Sequence, residues 1–227
     1  MIEIVKKILK VFDENHLWDR GIELIGSWCF ILYQKHFGVK PFPLRTVDID
    51  FLIPLPYKAK EKIDLIGLLE PLGFKTGFNS DGSIYLWSAD LKIEFLTAER
   101  GRGTDKAKEI KNLSLKAIPL RFVDMLFKNP VLVKEEGVKI SIPNPAVFAV
   151  HKILISDRRK KPEKKHKDLE QALHVLEAID LDDVKHIYHT FPKTWRKSIL
   201  DSLQNSVRIF PLRKELIQKV LSTLQHE

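Results

Sequence analysis

Two aspartates, Asp48 and Asp50, lie two residues apart in the apolar, β-branched run 47–53. Such a run predicts a buried β-strand. The side chains assigned to its packed face are Val47, Ile49 and Phe51. Because successive side chains of a strand point to opposite faces, both carboxylates are expected together on the other face.

This close pair of carboxylates needs a compensating charge. Two carboxylates about 4 Å apart repel each other by about 4 kcal/mol at an effective dielectric constant of about 20. A fold keeps this arrangement only if one acid is neutral or a cation lies between them. A divalent cation is the simplest solution, and Mg²⁺ and Mn²⁺ prefer hard oxygen ligands. Asp48 and Asp50 are therefore predicted metal ligands.

Gly26 and Ser27 lie between the run 22–25, which predicts a strand, and the run 28–36, which predicts a helix. Glycine lets the backbone approach a ligand closely, and a helix N-terminus offers free N–H groups to phosphate. A tight strand-to-helix turn is the alternative for an isolated Gly-Ser pair. Since the two aspartates follow about twenty residues later, the pair predicts a phosphate-binding turn beside a metal site.

A third acid, Glu94, lies on the alternating run 91–96, on the face opposite Ile93 and Phe95. If this strand neighbours that of the aspartates, three carboxylates converge in one place. Two divalent ions held there would activate an attacking hydroxyl and stabilise a leaving pyrophosphate. The alternative is a solvated strand residue that pairs with Lys92 or another cation.

Together, these residues resemble the motif of the polymerase-β-like nucleotidyltransferase superfamily. That motif is a Gly-Gly or Gly-Ser turn opening a helix, an Asp-x-Asp strand, and a single acid on a later strand. Here its parts are Gly26-Ser27, Asp48-Ile49-Asp50 and Glu94. The preceding Arg45-Thr46 is similar to the residues before this strand in small bacterial and archaeal members, some of them toxin-like. The resemblance covers about residues 20 to 96.

The sequence changes character at Pro143-Asn144-Pro145, after which the pattern is helical. The predicted fold class is α+β, with a mixed-sheet nucleotidyltransferase-type domain at 1–143 and an all-helical domain at 144–227. Helices are predicted at 2–14, 28–36, 59–69, 145–156, 163–179, 181–190, 193–205 and 212–225. Strands are predicted at 22–25, 47–53, 74–78, 83–87, 91–96, 117–122, 131–134 and 138–142, with an exposed loop at 97–112.

The helical half is similar to the segment that follows the catalytic domain in the small members of that superfamily. The similarity lies in residues 143–152 and in the basic residues up to Asp168. In those members, basic residues there are thought to meet the triphosphate or the acceptor. The resemblance thus implies Lys152 and Lys165, with Arg45, as nucleotide-binding residues. The alternative is solvated lysines, with an i, i+4 pair contributing a few tenths of a kcal/mol.

The composition limits the class of protein and of partner. The 227 residues carry a formal net charge of +8, which fits a polyanion such as a nucleoside triphosphate or RNA. A single cysteine, Cys29, excludes an intrachain disulfide and a cysteine-based zinc cluster. No apolar run approaches the roughly 20 residues that cross a bilayer, and no signal-peptide core is present. We expect a soluble, cytoplasmic protein with no membrane partner.

The sequence therefore predicts a Mg²⁺- or Mn²⁺-dependent enzyme that transfers a nucleoside monophosphate from a triphosphate such as ATP to an acceptor hydroxyl. The net charge and the basic residues Arg100 and Arg102 favour tRNA or another RNA as acceptor. A protein hydroxyl, as in toxin-like members, and a small molecule such as an aminoglycoside stay open. The alternatives are an inactive nucleotide- or RNA-binding regulator on the same fold, and a plain basic RNA- or partner-binding module.

Overall fold

The computed structural model of the chain describes residues 2–42, 46–59, 61–103 and 106–225. The helices are α1 (Glu3–Glu14), α2 (Gly26–His36), α3 (Leu65–Leu69), α4 (Pro145–Ser156), α5 (Pro162–Ala178), α6 (Leu181–His189), α7 (Lys193–Ile209) and α8 (Lys214–Gln225). The strands are β1 (Glu23–Ile25), β2 (Asp48–Ile53), β3 (Lys75–Phe78), β4 (Ile84–Trp87), β5 (Lys92–Ala98), β6 (Lys108–Ile110), β7 (Leu115–Leu120), β8 (Val131–Glu135) and β9 (Val138–Ile142). This mixed α/β architecture confirms the predicted fold class.

A mixed sheet organises the N-terminal half, in the order β1-β2-β5-β4-β3. Strand β2 runs antiparallel to β1 and parallel to β5. On its other side, β5 pairs with β4 through its first residues and with β7 through its last. Strands β2 and β5 are therefore central, and both carry predicted site residues.

One face of this sheet is apolar and is covered by α1. The buried side chains of α1 are Val5, Ile8, Leu9 and Phe12, a stripe at helical spacing. The ring of Phe12 stacks on that of Phe51 in β2, with centroids 3.9 Å apart. Such an aromatic pair contributes about 0.5–1.5 kcal/mol beyond its buried area. This packing turns Phe51 towards α1 and the aspartates of β2 towards the opposite face.

The chain divides into two compact units, one of Met1–Cys29 with Pro43–Pro143 and the other of Phe30–Phe42 with Asn144–Glu227. The second unit thus includes most of α2. One reason is the ring of Tyr33, which packs edge-on against Phe148 of α4 with centroids 5.0 Å apart. The sequence predicts a domain boundary after residue 143, which would place Phe30–Phe42 in the first domain. The assignment of two domains at this boundary stays a prediction.

The helical unit is built around α4, which packs against α5, α6 and α7. Helix α4 begins where the sequence predicts, because Asn144 Oδ1 accepts a hydrogen bond from the Ala146 N–H at 2.9 Å. Nearly all of its side chains are buried, including the charged Lys152. Within the described part of the chain, no helix is long and apolar enough to cross a membrane.

Three local predictions differ from the structure. The helix predicted at 59–69 is limited to Leu65–Leu69, because residues before it bind Asn112 instead. The Ile63 N–H donates to the backbone carbonyl of Asn112 at 2.9 Å, and Asn112 Nδ2 donates to the Ala59 carbonyl at 2.8 Å. Part of the loop predicted at 97–112 is strand β6, since its residues pair with β7. Val47 precedes β2 and is exposed rather than packed.

A buried carboxyl group, Glu23, lies in β1. The side chain is only 1% exposed, and its Oε2 atom has no hydrogen-bond partner among the described residues. Burial raises the pKa of Glu23 to about 8, because the charged form loses its hydration. At neutral pH the folded protein therefore holds this group mainly protonated.

The substitution Glu23→Gln is expected to flatten the pH dependence of stability. Between the ordinary pKa of 4.5 and the raised pKa of about 8, the folded state binds more protons than the unfolded state. Stability conferred by neutral Glu23 is thus complete below pH 4.5 and is lost as pH rises through 8. The loss is on the order of 4–5 kcal/mol. Urea unfolding of wild type and variant from pH 4.5 to 8.5 measures the difference in slope.

The exposed Glu14→Gln is the matched control, and it should leave the slope unchanged. Equal slopes for wild type and Glu23→Gln would show that Glu23 does not stay neutral in the fold.

Candidate active site

The pairing of β2 with β5 brings the predicted acids together. In this parallel register, Asp50 lies beside Glu94, and Asp48 lies beside Lys92. Neighbouring strands lie about 4.8 Å apart, and residues in register share a face of the sheet. Asp48, two residues before Asp50, shares the same face. The three acids therefore lie on one face of two adjacent strands.

The environment of these acids becomes more enclosed along β2. Asp48 is exposed, whereas Asp50 and Glu94 are half-buried. The residues between them on the opposite face, Ile49 and Ile93, are completely buried. The backbone of both strands is thus fixed by the core, and the carboxylates extend from it towards the other side.

Gly26 contacts the carboxylate of Asp50 directly. A Cβ atom on Gly26 would lie 2.3 Å from Asp50 Oδ2, which real Cβ atoms essentially never do. The φ angle of Gly26 is +72°, a left-handed conformation that favours glycine. Antiparallel pairing of Ile25 with Asp50 produces this approach, since Gly26 follows Ile25. Both the turn and the position of Asp50 therefore require glycine at 26.

Helix α2 begins at Gly26, with Ser27 in its first turn. Its first turn contains no acidic residue, and its last turn contains Lys35 and His36. The first N–H groups of a helix lack intrahelical partners and carry partial positive charge, so they favour an anion. This helix N-terminus lies next to the carboxylate of Asp50.

Lys92 places an ammonium group among the acids. Its Nζ forms an ion pair with Glu94 and lies 4.5 Å from the centre of the Tyr85 ring. Burial acts to lower the pKa of Lys92, but the hydrogen bond and charge of Glu94, with the charge of Asp48, outweigh it and raise the pKa. The pairing of Glu94 with Lys92 is the alternative that the sequence analysis left open for Glu94.

The carboxylates suit a divalent cation by chemistry and by backbone position. They supply hard oxygen ligands from adjacent strand positions, as Mg²⁺ and Mn²⁺ prefer. Their side chains are not gathered into a ready site, since the described residues contain no group of three or more His, Cys, Asp or Glu suited to hold a metal ion. The backbone register already places the three acids on neighbouring positions of one face.

The two predicted lysines of the helical unit are each engaged by an aspartate. Lys152 Nζ lies 2.6 Å from Asp168 Oδ1, and Arg159 Nε lies 2.6 Å from Asp168 Oδ2. Lys165 forms an ion pair with Asp157. Asp168, which is 3% exposed, thus joins two cations. Binding of nucleotide by Lys152 and Lys165 stays a prediction, and the predicted Arg45 lies outside the described residues.

Lys152 and Arg159 hold Asp168 in its charged form. Burial alone would raise the pKa of Asp168, but the charges and hydrogen bonds of Lys152 and Arg159 lower it. Beside them, burial lowers the pKa of His151 to about 3, so this imidazole is neutral. Asp168, Lys152 and Arg159 thus form a cluster of ion pairs within the helical unit.

Glu23, which the sequence motifs do not single out, also lies on the face of the acids. Its register partner Leu52 is on the same side of β2 as Asp50. The available signal was an acid in the middle of the apolar run 22–25, between two glycines. Complete burial, which makes that acid unusual, cannot be read from the run itself.

Comparison with known proteins identifies a matching family and similar folds. A family model described as nucleotidyltransferase matches residues 3–195. The chain also resembles the crystal structure of an antigenic nucleotidyltransferase-like protein from Paracoccidioides brasiliensis, with 12% identity over 95% of this chain and 92% of that one and a TM-score of 0.53. A further similar structure is ANT(2")-Ia in complex with adenylyl-2"-tobramycin, with 13% identity, coverage of 81% and 92%, and a TM-score of 0.44. None of the curated proteins matches the sequence.

The chain belongs to the nucleotidyltransferase family, because the family model matches most of its length. It is accordingly a nucleotidyltransferase, an enzyme of the class that transfers nucleoside monophosphates. The resemblance and the enzyme class predicted from the sequence are both confirmed. The likeness to the Paracoccidioides protein, at 12% identity, concerns the fold.

The substitution Gly26→Ala is expected to destabilise the protein through Asp50. Its left-handed φ costs about 1–2 kcal/mol for any residue with a Cβ. A further cost comes from displacing Asp50 Oδ2, which lies 2.3 Å from the new Cβ position. In an Asp50→Ala background the nearest contact is 3.6 Å, to the Cβ of residue 50, so this further cost should disappear. Urea unfolding of the double-mutant cycle measures the coupling.

Gly38→Ala is the control, since Gly38 has a similar φ of +69° and nothing within 4 Å of its added Cβ. It should show the backbone cost alone and no coupling to Asp50→Ala. A Gly26→Ala variant that loses no more stability than Gly38→Ala would contradict the close approach.

The substitution Asp168→Ala is expected to lower the free energy of unfolding by about 3–5 kcal/mol, because it leaves a buried cation unpaired. Adding Lys152→Met should recover much of the loss, since the pair is then replaced by apolar atoms. Chemical denaturation of both variants measures this, with the exposed Asp201→Ala as control. Equal losses in the single and double variants would mean that the ion pair is not what Asp168 contributes.

Proposed function

We propose that this nucleotidyltransferase transfers a nucleoside monophosphate from a triphosphate such as ATP to an acceptor hydroxyl and releases pyrophosphate. It would use Mg²⁺ or Mn²⁺ bound by Asp48, Asp50 and Glu94. One observation carries the proposal: the register places Asp50 beside Glu94 while Gly26, at the start of α2, contacts the Asp50 carboxylate. An anion-binding helix end and a set of oxygen ligands thereby adjoin, as a metal-bound triphosphate requires.

The helix end would bind the triphosphate. The N–H groups of Gly26, Ser27 and the following residues would donate to the β and γ phosphates. Arg45, Lys152 and Lys165 are proposed as further cations for the phosphates. For that role each lysine would leave its present ion-pair partner and bind a phosphate oxygen. The present partner of Lys152 is Asp168, and that of Lys165 is Asp157.

The transfer makes one bond and breaks one. The acceptor oxygen bonds to the α-phosphorus, and the bond from that phosphorus to the oxygen bridging to the β-phosphorus breaks, so pyrophosphate leaves with the electron pair. Bound divalent cations would supply positive charge that stabilises the phosphate oxygens and acidifies the acceptor hydroxyl. Glu94, half-buried on the same face, would accept the proton of that hydroxyl. Most of the remaining barrier reduction would come from positioning and electrostatics.

For the acceptor we propose RNA, with tRNA as one candidate. The formal net charge of +8 supports a polyanionic partner. In the first unit, the exposed Arg100 and Arg102 add to a basic surface. A cytoplasmic location accords with the supply of nucleoside triphosphates there. A protein hydroxyl or a small molecule as acceptor are the other outcomes of the test below.

The substitution Asp50→Asn is expected to reduce nucleotidyl transfer by about 1000-fold, because it removes a charged ligand while keeping the side-chain shape. The measurement incubates the protein with each α-labelled triphosphate, Mg²⁺ and either total RNA or cell lysate. Labelled RNA, labelled protein and labelled small molecules are then separated, and pyrophosphate is quantified. We expect label in RNA, and its loss with a chelator.

Asp90→Asn is the matched control, because Asp90 is exposed and precedes β5. It should retain wild-type transfer. If no triphosphate gives label or pyrophosphate with the wild-type protein, the proposal fails. Label in protein alone would overturn RNA as the acceptor but not the transfer itself.

A further inference from the structure

Lys92 explains how three acids lie on one face without forming a ready metal site. Its ammonium forms an ion pair with Glu94, two residues along the same strand. The register also sets Lys92 beside Asp48, across the strand pair. One side chain therefore approaches an acid from each strand. This is the position that a cation must occupy if these carboxylates are to stay close together.

We propose that Lys92 is an internal cation that occupies Glu94 until a divalent cation displaces it. The inference rests on the proposed function, because it concerns the same three carboxylates. In the absence of metal, the ion pair offsets repulsion between Glu94 and its neighbour Asp50. When a divalent ion binds Asp48 and Asp50, Glu94 turns from the ammonium to the ion. Lys92 thus sets how tightly the site holds its metal.

The charges of these four groups support one metal ion before nucleotide binds. Three carboxylates and one ammonium carry a net formal charge of two negative units, which a single dication balances. A second dication would face an excess of positive charge unless it arrived with the triphosphate.

The aromatic ring of Tyr85 can bind the ammonium of Lys92 after it leaves Glu94. Its ring face lies 4.5 Å from Lys92 Nζ, a distance at which an aromatic ring attracts a cation. The ring itself is held close to the backbone, since a Cβ on Gly77 would lie 2.4 Å from Tyr85 Cζ. Tyr85 pairs with Glu94 in the sheet, so all three groups share one face. Lys92 can release Glu94 without leaving the site.

The test measures Mn²⁺ binding to the full-length protein without nucleotide, by the electron paramagnetic resonance signal of free Mn²⁺. Lys92→Met removes the charge but keeps the length of the side chain, and we expect it to bind Mn²⁺ about tenfold more tightly than wild type. Lys92→Arg keeps the charge and should stay within about twofold. Lys75→Met is the control, because Lys75 lies over Trp87 rather than against an acid.

A second set of variants separates the effect of the ion pair on Mn²⁺ binding from effects on folding. In a Glu94→Gln background, Lys92→Met should no longer tighten Mn²⁺ binding, since the ion pair is already absent. Circular dichroism confirms that each variant folds, and Lys92→Gln replaces Lys92→Met if the latter does not. Equal Mn²⁺ affinity in wild type and Lys92→Met, or the same gain in the Glu94→Gln background, overturns the inference.

The outcome also separates this inference from the proposed function. If wild type binds Mn²⁺ and Asp50→Asn removes the binding, the metal site stands and only the role of Lys92 is in question. If Asp50→Asn binds Mn²⁺ as wild type does, or if no variant binds it with or without nucleoside triphosphate, the proposed metal site and the role of Lys92 both fail.

Discussion

The parallel hydrogen-bonded pairing of β2 with β5 is the constraint on which the site depends. It sets Asp50 beside Glu94, and a shift by one residue would turn one of the two carboxylates towards α1. The apolar face secures this register, because Phe51 and Phe95 are completely buried and cannot exchange places with charged neighbours. The hydrophobic core thus determines where the acids lie, although none of its residues is available to a substrate.

A second constraint, the turn at Gly26, links the N-terminus of α2 to this pair. Antiparallel pairing of β1 with β2 brings the turn against Asp50, and only a residue without a Cβ fits there. The site therefore has a rigid part, formed by two strands and one turn, and a part made of side chains that can rotate. Lys92 belongs to the second part. An ion pair between half-buried groups can be exchanged for another cation at modest cost, whereas a strand register cannot.

Sequence patterns predict the local features of this chain well. Charged residues at a period of two within an apolar run mark β2, and Asn144 before Pro145 marks the start of α4. The sequence does not show what depends on distant contacts. Asn112 limits the helix predicted at 59–69, and Phe30–Phe42 packs with the helical unit because of aromatic contacts such as Tyr33 with Phe148. The sequence likewise does not determine the partners of Glu94, Lys152 and Lys165, since each has several opposite charges within reach along the chain.

The contact between Gly26 and Asp50 also has a consequence for reading related genomes. Any relative that carries alanine or a larger residue at the equivalent of position 26 must have moved or lost the carboxylate opposite it. A change in this one codon would therefore alter where that carboxylate can lie. It would do so even where every aspartate is still encoded.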